Sequence, residues 1–211
     1  MPQIFDLSLT SGAKVVVWEV EEPPVFFLEK LDTDLFNLEE LAHIPHPQKQ
    51  LEWLASRYLI QQLSNAMLVN HQGIVKDEFG KPFLSKSTVE LSLSHTLQYV
   101  AVGLHPSQSI GLDLEMPSEK LRKVARKFLS ESELAHANDQ LKVLCVYWAC
   151  KEALYKYYGK KALAFKENIL IEPFDLNQQM LFGKIQTPDY QQVFRLSLSW
   201  INDCCLVVTE G

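Results

Sequence analysis

Gly111-Leu112-Asp113-Leu114-Glu115 alternates apolar and acidic side chains, so a strand over these residues presents Asp113 and Glu115 on one face and Leu112 and Leu114 on the other. Downstream, Trp148-Ala149-Cys150-Lys151-Glu152-Ala153-Leu154-Tyr155-Lys156 puts Glu152 and Lys156 at i and i+4 of one helix face, with Trp148 a turn earlier. If that helix packs on that strand, three carboxylates and an ammonium converge, an arrangement suited to a hard cation and a phosphate. An isolated i,i+4 Glu/Lys pair is usually a solvated surface pair worth about 0.3–0.5 kcal/mol. This helix is of another kind, because residues 143–150 read Val-Leu-Cys-Val-Tyr-Trp-Ala-Cys, apolar on every side, which predicts burial. A glutamate opening the next turn of a buried helix needs a partner or a metal.

The elements that must position these groups follow from periodicity. In the first part of the chain the pattern predicts a strand over 13–20, a break at Pro23-Pro24, a further strand over 25–29 and a short helix over 34–43 that stops before Pro45. Leu51, Leu54, Ala55, Tyr58, Leu59, Gln62 and Leu63 trace an amphipathic helix, and strands follow at 89–94 and 99–104. The second part predicts a strand over 109–115, a basic helix over 118–128, a helix from Glu131, and a long helix ending near Gly159. Strands at 181–186, 193–200 and 205–209 complete it. Leu91-Ser-Leu-Ser-His95 recurs as Leu196-Ser-Leu-Ser-Trp200, each followed by a turn and an apolar strand. Phe79-Gly80-Lys81 recurs as Phe182-Gly183-Lys184, and Trp53-x-x-x-Arg57 stands where Trp148-x-x-x-Glu152 does later. Three matches in one order predict a duplication: an α+β fold of two similar α+β halves related by a pseudo-twofold axis, with the boundary near His105-Pro106-Ser107, between 1–105 and 106–211.

These residues carry a resemblance. The chain resembles the 4′-phosphopantetheinyl transferase superfamily of the broad-specificity, surfactin-synthetase-activating type, whose Gly-Ile-Asp-Ile-Glu strand and Trp-x-x-Lys-Glu-Ala-x-x-Lys helix are matched by Gly111 to Glu115 and Trp148 to Lys156. Gly80-Lys81-Pro82, Ser92-Leu93-Ser94-His95 and the Arg57 of Trp53 to Leu59 match in the expected order, over a span of about 50–159. The resemblance implies the two-halved fold described above. It also implies Mg²⁺-dependent transfer of the 4′-phosphopantetheine group of coenzyme A to a serine of an apo acyl or peptidyl carrier protein, with release of 3′,5′-ADP, the reaction of a holo-[acyl-carrier-protein] synthase. By the same resemblance Arg57 and His95 take the 3′-phosphate of coenzyme A, with Ser94 beside the nucleotide and Lys81 on its phosphates. Asp113, Glu115 and Glu152 hold Mg²⁺, and Lys156 contacts the diphosphate. Glu133 is the candidate base, matching the glutamate of the family's Phe-Phe-Ser-Lys-Thr-Glu segment. Ser130-x-x-Glu133 reads equally as a capping box. The loop 159–163 departs from the family's Gly-x-Gly-Leu, and Lys49 alone stands for the basic residues that often precede the Arg57 helix.

Composition bounds the alternatives. The chain has 211 residues, ordinary apolar and charged fractions and a net charge of −6, which argues against non-specific nucleic-acid binding. It shows no basic-then-apolar leader and no apolar run near the roughly 20 residues of a membrane span. A cytoplasmic, monomeric enzyme is expected. Cys145, Cys150, Cys204 and Cys205 have neither a disulfide-framework nor a metal-site spacing and read as core thiols. Lys120, Arg122, Lys123, Arg126 and Lys127 surround a helix whose stripe is Leu121, Val124, Ala125 and Phe128, a basic face that could steer an acidic carrier protein. Two other readings use the same residues: a Mg²⁺-dependent phosphohydrolase of coenzyme A that needs no acceptor, and an inactive module that only binds coenzyme A or a carrier.

Overall fold

The computed structural model describes residues 3–96, 98–160 and 163–210. The chain divides into two units, Met1–Ser109 and Ile110–Gly211, each closed around its own core. The division falls just beyond His105, because that imidazole ties the following residues to the first unit. It bonds the Ser11 carbonyl through Nε2 and accepts from the backbone N–H groups of Ser107 and Gln108 at Nδ1.

The first unit runs β1 (Gln3–Ser8), β2 (Lys14–Glu19), α1 (Pro24–Leu28), α2 (Glu39–Ala42), α3 (Pro47–Ala66), β3 (Ile74–Lys76), β4 (Pro82–Leu84), β5 (Glu90–Thr96) and β6 (Tyr99–His105). Four strands form an antiparallel sheet in the order β1-β2-β6-β5, and β3 and β4 make a separate hairpin. The predicted apolar stripe of α3 packs on β6 and β2, with Leu54, Ala55, Leu59, Ile60 and Leu63 buried. Pro47 opens α3, where its missing N–H costs nothing. The segment 25–29, expected as a strand, is helix α1. Pro24 presets a helical φ at its first turn, and Phe26 and Phe27 both set their rings against Tyr58 of α3. Of the helix expected over 34–43 only Glu39–Ala42 is helical, since Asp32 and Asn37 accept from backbone N–H groups two residues on and hold turns instead. Strand β1 had no clear sequence signal.

The second unit runs β7 (Leu112–Glu115), α4 (Glu119–Phe128), α5 (Glu131–Ala137), α6 (Leu141–Tyr158), α7 (Phe165–Asn168), β8 (Ile169–Ile171), β9 (Met180–Thr187), β10 (Tyr190–Ile201) and β11 (Cys204–Glu210). Its antiparallel sheet is ordered β7-β11-β10-β9-β8. Helix α6 lies on β7 and β11 as α3 lies on β2 and β6. The two Leu-Ser-Leu-Ser segments occupy equivalent hairpin strands, β5 before β6 and β10 before β11. The α+β class and the similarity of the two units in element order are therefore observed. The Phe-Gly-Lys repeat is not structural: residues 79–81 form a turn, whereas Phe182-Gly183-Lys184 lies inside β9. The four cysteines are buried core residues and form no disulfide among the described residues. Among those residues no helix is long and apolar enough to cross a membrane.

Candidate active site

Strand β7 can carry acidic groups against a helix because Gly111, at its entry, lets the helix come close. A Cβ there would collide with the Ala153 carbonyl and lie 2.6 Å from the Tyr157 amide nitrogen. Thr209 of β11 fixes Gly111 from the other side, its hydroxyl accepting the Gly111 N–H at 2.9 Å. Helix α6 then lays Trp148, Glu152 and Lys156, spaced by four, along β7. Lys156 Nζ donates to Asp113 Oδ1 at 2.7 Å, and the Trp148 indole hydrogen-bonds the Glu115 carboxylate. Glu152 stands between them and feels both Asp113 and Glu115.

The electrostatics are those of crowded, half-buried carboxylates. Asp113 is buried. Burial first, and the Asp113 and Glu115 charges next, push the Glu152 carboxyl up to about 7, with Lys156 pulling the other way. Glu115 is raised by burial and then by Asp113. The expected four groups therefore come together at β7 and α6. They do not form a closed ligand shell: among the described residues no three His, Cys, Asp or Glu side chains are gathered as a ready metal site. The donor set still fits a hard divalent cation, being all carboxylate oxygen and electrostatically strained in its absence.

Glu133 sits elsewhere. Its carboxylate completes the capping box at α5, with Oε2 accepting from the Ser130 N–H at 2.7 Å and the Ser130 hydroxyl accepting from the Glu133 N–H. Oε2 also takes the Lys151 ammonium at 2.9 Å, and Oε1 accepts from the Ile171 N–H at 2.9 Å. At 2 % exposure both oxygens are committed to structural partners. Lys151, for which the sequence motif suggested no role, is fully buried and donates further to the carbonyls of Phe165 and Ile169. The ion pair thus joins α5 to α6, and the two carbonyl bonds tie α6 to α7 and β8.

Beside Glu115 the unit holds a cavity of about 500 Å³, lined by Leu121, Val124 and Phe128 of α4, by Trp148 and Phe165, and by the ammonium-bearing Lys120 and Lys127. Trp148 packs edge-on against Phe128 and tilted against Phe165. Helix α4 exposes its five cations as expected, but Arg122 is engaged by the carboxylates of Glu119 and Asp139 and by the Asp139 carbonyl. Lys161 and Ala162, in the loop that departs from the family pattern, lie outside the described residues.

In the first unit each expected cation has an acidic neighbour. Arg57 stacks over Trp53 and approaches Glu40 at 3.9 Å. Burial lowers its pKa, with Glu40 opposing. Lys81 closes the β3–β4 turn, where Gly80 takes a φ of 90° that favours glycine, and its Nζ lies 3.7 Å from Glu90. His95 Nδ1 is 3.0 Å from the buried carboxylate of Glu52, which Lys49 also holds. Ser94 is buried on β5. Arg57 lines a cavity of about 350 Å³ together with Trp53 and Glu40.

Comparison with known proteins follows the same residues. Residues 109–200 match the family model of the 4′-phosphopantetheinyl transferase superfamily. The chain is 32% identical over 118 residues to the 4′-phosphopantetheinyl transferase gsp of Aneurinibacillus migulanus, covering 52% of this chain and 46% of that one. It is 28% identical over 177 residues to the 4′-phosphopantetheinyl transferase HetI of Nostoc sp. strain PCC 7120, covering 75% and 74%. Over 126 residues it is 28% identical to the 4′-phosphopantetheinyl transferase AcpT of Escherichia coli O157:H7, covering 56% and 63%. The chain thus spans about half the length of the first of these relatives.

Proposed function

Because residues 109–200 match the family model of the 4′-phosphopantetheinyl transferase superfamily, we propose that this chain transfers the 4′-phosphopantetheine group of coenzyme A to a serine hydroxyl of an apo carrier protein, acting as a holo-[acyl-carrier-protein] synthase. The observation that carries this reading is the stripe of Trp148, Glu152 and Lys156 laid along Asp113 and Glu115. Asp113, Glu115 and Glu152 would hold Mg²⁺, which when bound supplies neutralising charge to the diphosphate. Lys156, 28% exposed, would turn from Asp113 to a diphosphate oxygen and stabilise charge on the departing 3′,5′-ADP. In the transfer the serine Oγ bonds to the β-phosphorus while the bond from that phosphorus to the bridging oxygen breaks. The hydroxyl proton passes to a base, for which Glu152 is the candidate. Glu133 is assigned a structural role, because its oxygens are bonded to Lys151, Ser130 and Ile171.

In the first unit Arg57 and His95 would take the 3′-phosphate, Ser94 would lie beside the nucleotide and Lys81 would meet its phosphates. The cavity under α4 has an apolar wall and a lysine rim, the chemistry that would receive an acidic amphipathic helix of a carrier protein. Release of 3′,5′-ADP from coenzyme A, followed by chromatography with and without an apo carrier protein, tests the reaction class. Release that requires the carrier supports transfer. Equal release without carrier, accompanied by 4′-phosphopantetheine in solution, would identify a hydrolase instead.

A further inference from the structure

Trp53 and Arg57 stand one turn apart on α3, and the guanidinium carbon lies 4.4 Å from the indole centroid. The Arg57 side chain is only 13% exposed. Glu40 of α2 meets both groups: its Oε2 accepts from Trp53 Nε1 at 3.2 Å and lies 3.9 Å from Arg57 Nη2. At 3.9 Å the second contact is electrostatic rather than a hydrogen bond. The Glu40 side chain is 54% exposed, and α2 is a single turn with no side-chain cap, so swinging this carboxylate aside costs little. The indole N–H and the guanidinium are donors only. They face a cavity of about 350 Å³ whose lining includes the neutral polar side chains of Asn37 and Gln72, with Asp34 a second carboxylate beside Glu40.

We propose that Glu40 is an internal competitor for the anion site at Arg57, its carboxylate taking the place of a phosphomonoester until a ligand displaces it. This rests on the assignment of Arg57 to the 3′-phosphate. A dianionic phosphate offers more charge and more acceptor oxygens than one carboxylate, so it wins the exchange. A ribose hydroxyl at the same place does not. Glu40 thereby keeps the guanidinium screened from weaker anions, and the phosphate gives up part of its affinity to the exchange.

Calorimetric titration with 3′,5′-ADP and with 5′-AMP tests this on the wild-type chain, Glu40→Gln and Arg57→Ala. Glutamine keeps the acceptor for the indole and removes the charge. Glu40→Gln should bind 3′,5′-ADP about fivefold more tightly, a screened like-charge effect, and leave 5′-AMP unchanged, while Arg57→Ala should erase the preference for the 3′-phosphate. If Glu40→Gln leaves 3′,5′-ADP binding unchanged or weaker, or tightens both nucleotides alike, the competitor role is overturned and the role of Arg57 stands. If Arg57→Ala keeps the full preference, the assignment of the 3′-phosphate to Arg57 fails, and the proposal with it.

Discussion

Two glutamates with different surroundings separate structure from chemistry at the residue scale. Glu133 is buried against Lys151 and two backbone N–H groups, so Glu133→Gln leaves a buried ammonium without its counter-charge. Breaking such a pair costs about 3–5 kcal/mol. The expected outcome is a lowered melting temperature with kcat near wild type below the transition. A loss of kcat in a well-folded Glu133→Gln would return the base role to that residue. Glu152→Gln should do the reverse and abolish transfer in a stable protein. The shift at Glu152 also fixes a pH dependence. An unfolded glutamate loses its proton near 4.5, whereas the folded one holds it to about 7. The folded state therefore binds more protons in that window, and its stability falls as pH rises from about 4.5 to about 7, then levels. Thermal melts in EDTA should show this fall, and Glu152→Gln should flatten it. An unchanged slope in the variant would mean that the carboxylate is not crowded as described.

The strand and helix that carry the site depend on one close approach at the scale of the element. Gly111→Ala would drive a Cβ into the α6 backbone at Ala153 and Tyr157, where nothing flexible can yield. Its cost should reach or exceed the upper end of the roughly 1–3 kcal/mol typical of overpacking, read as a drop in the midpoint of urea unfolding. Helix α4 carries a different prediction. With Arg122 held by Glu119 and Asp139, the cations available to a partner are Lys120, Lys123, Arg126 and Lys127. Lys123→Glu with Arg126→Glu should raise the KM for the carrier protein, flatten its salt dependence and leave coenzyme A binding unchanged. An unaltered KM would remove α4 from the docking face. Long periodic elements were legible in the sequence: α3, α4, α6 and the hairpin strands fall within a few residues of the expected ranges. The short ones were not, because Pro24 and the turns held by Asp32 and Asn37 act locally, against a pattern too short to decide strand from helix.

Over the whole molecule, the similar element order of the two units was readable because Leu-Ser-Leu-Ser marks the same hairpin strand in each unit, while the Phe-Gly-Lys match was chance likeness between a turn and a strand interior. The grouping of Asp113, Glu115, Glu152 and Lys156 was readable too, since periods of two and of four fix which side chains share a face. Three features were hidden. Lys151 sits next to Glu152 in the sequence, yet only packing shows that it points into the core. The acidic partners of Arg57, Lys81 and His95 come from residues remote in pattern, Glu40, Glu90 and Glu52. The cavity under α4 is assembled from three helices and the end of β7.

The central claim is that the carboxylates of β7 and α6 serve transfer of phosphopantetheine to a carrier protein. The most direct measurement is the intact mass of an apo carrier protein after incubation with coenzyme A, Mg²⁺ and this chain, followed by mapping of the modified residue. The account predicts a mass increase of one 4′-phosphopantetheine on a single serine, absent with Asp113→Ala or Glu152→Ala and absent in EDTA. An unmodified carrier with the wild-type chain, or full modification by either variant or in EDTA, would contradict it.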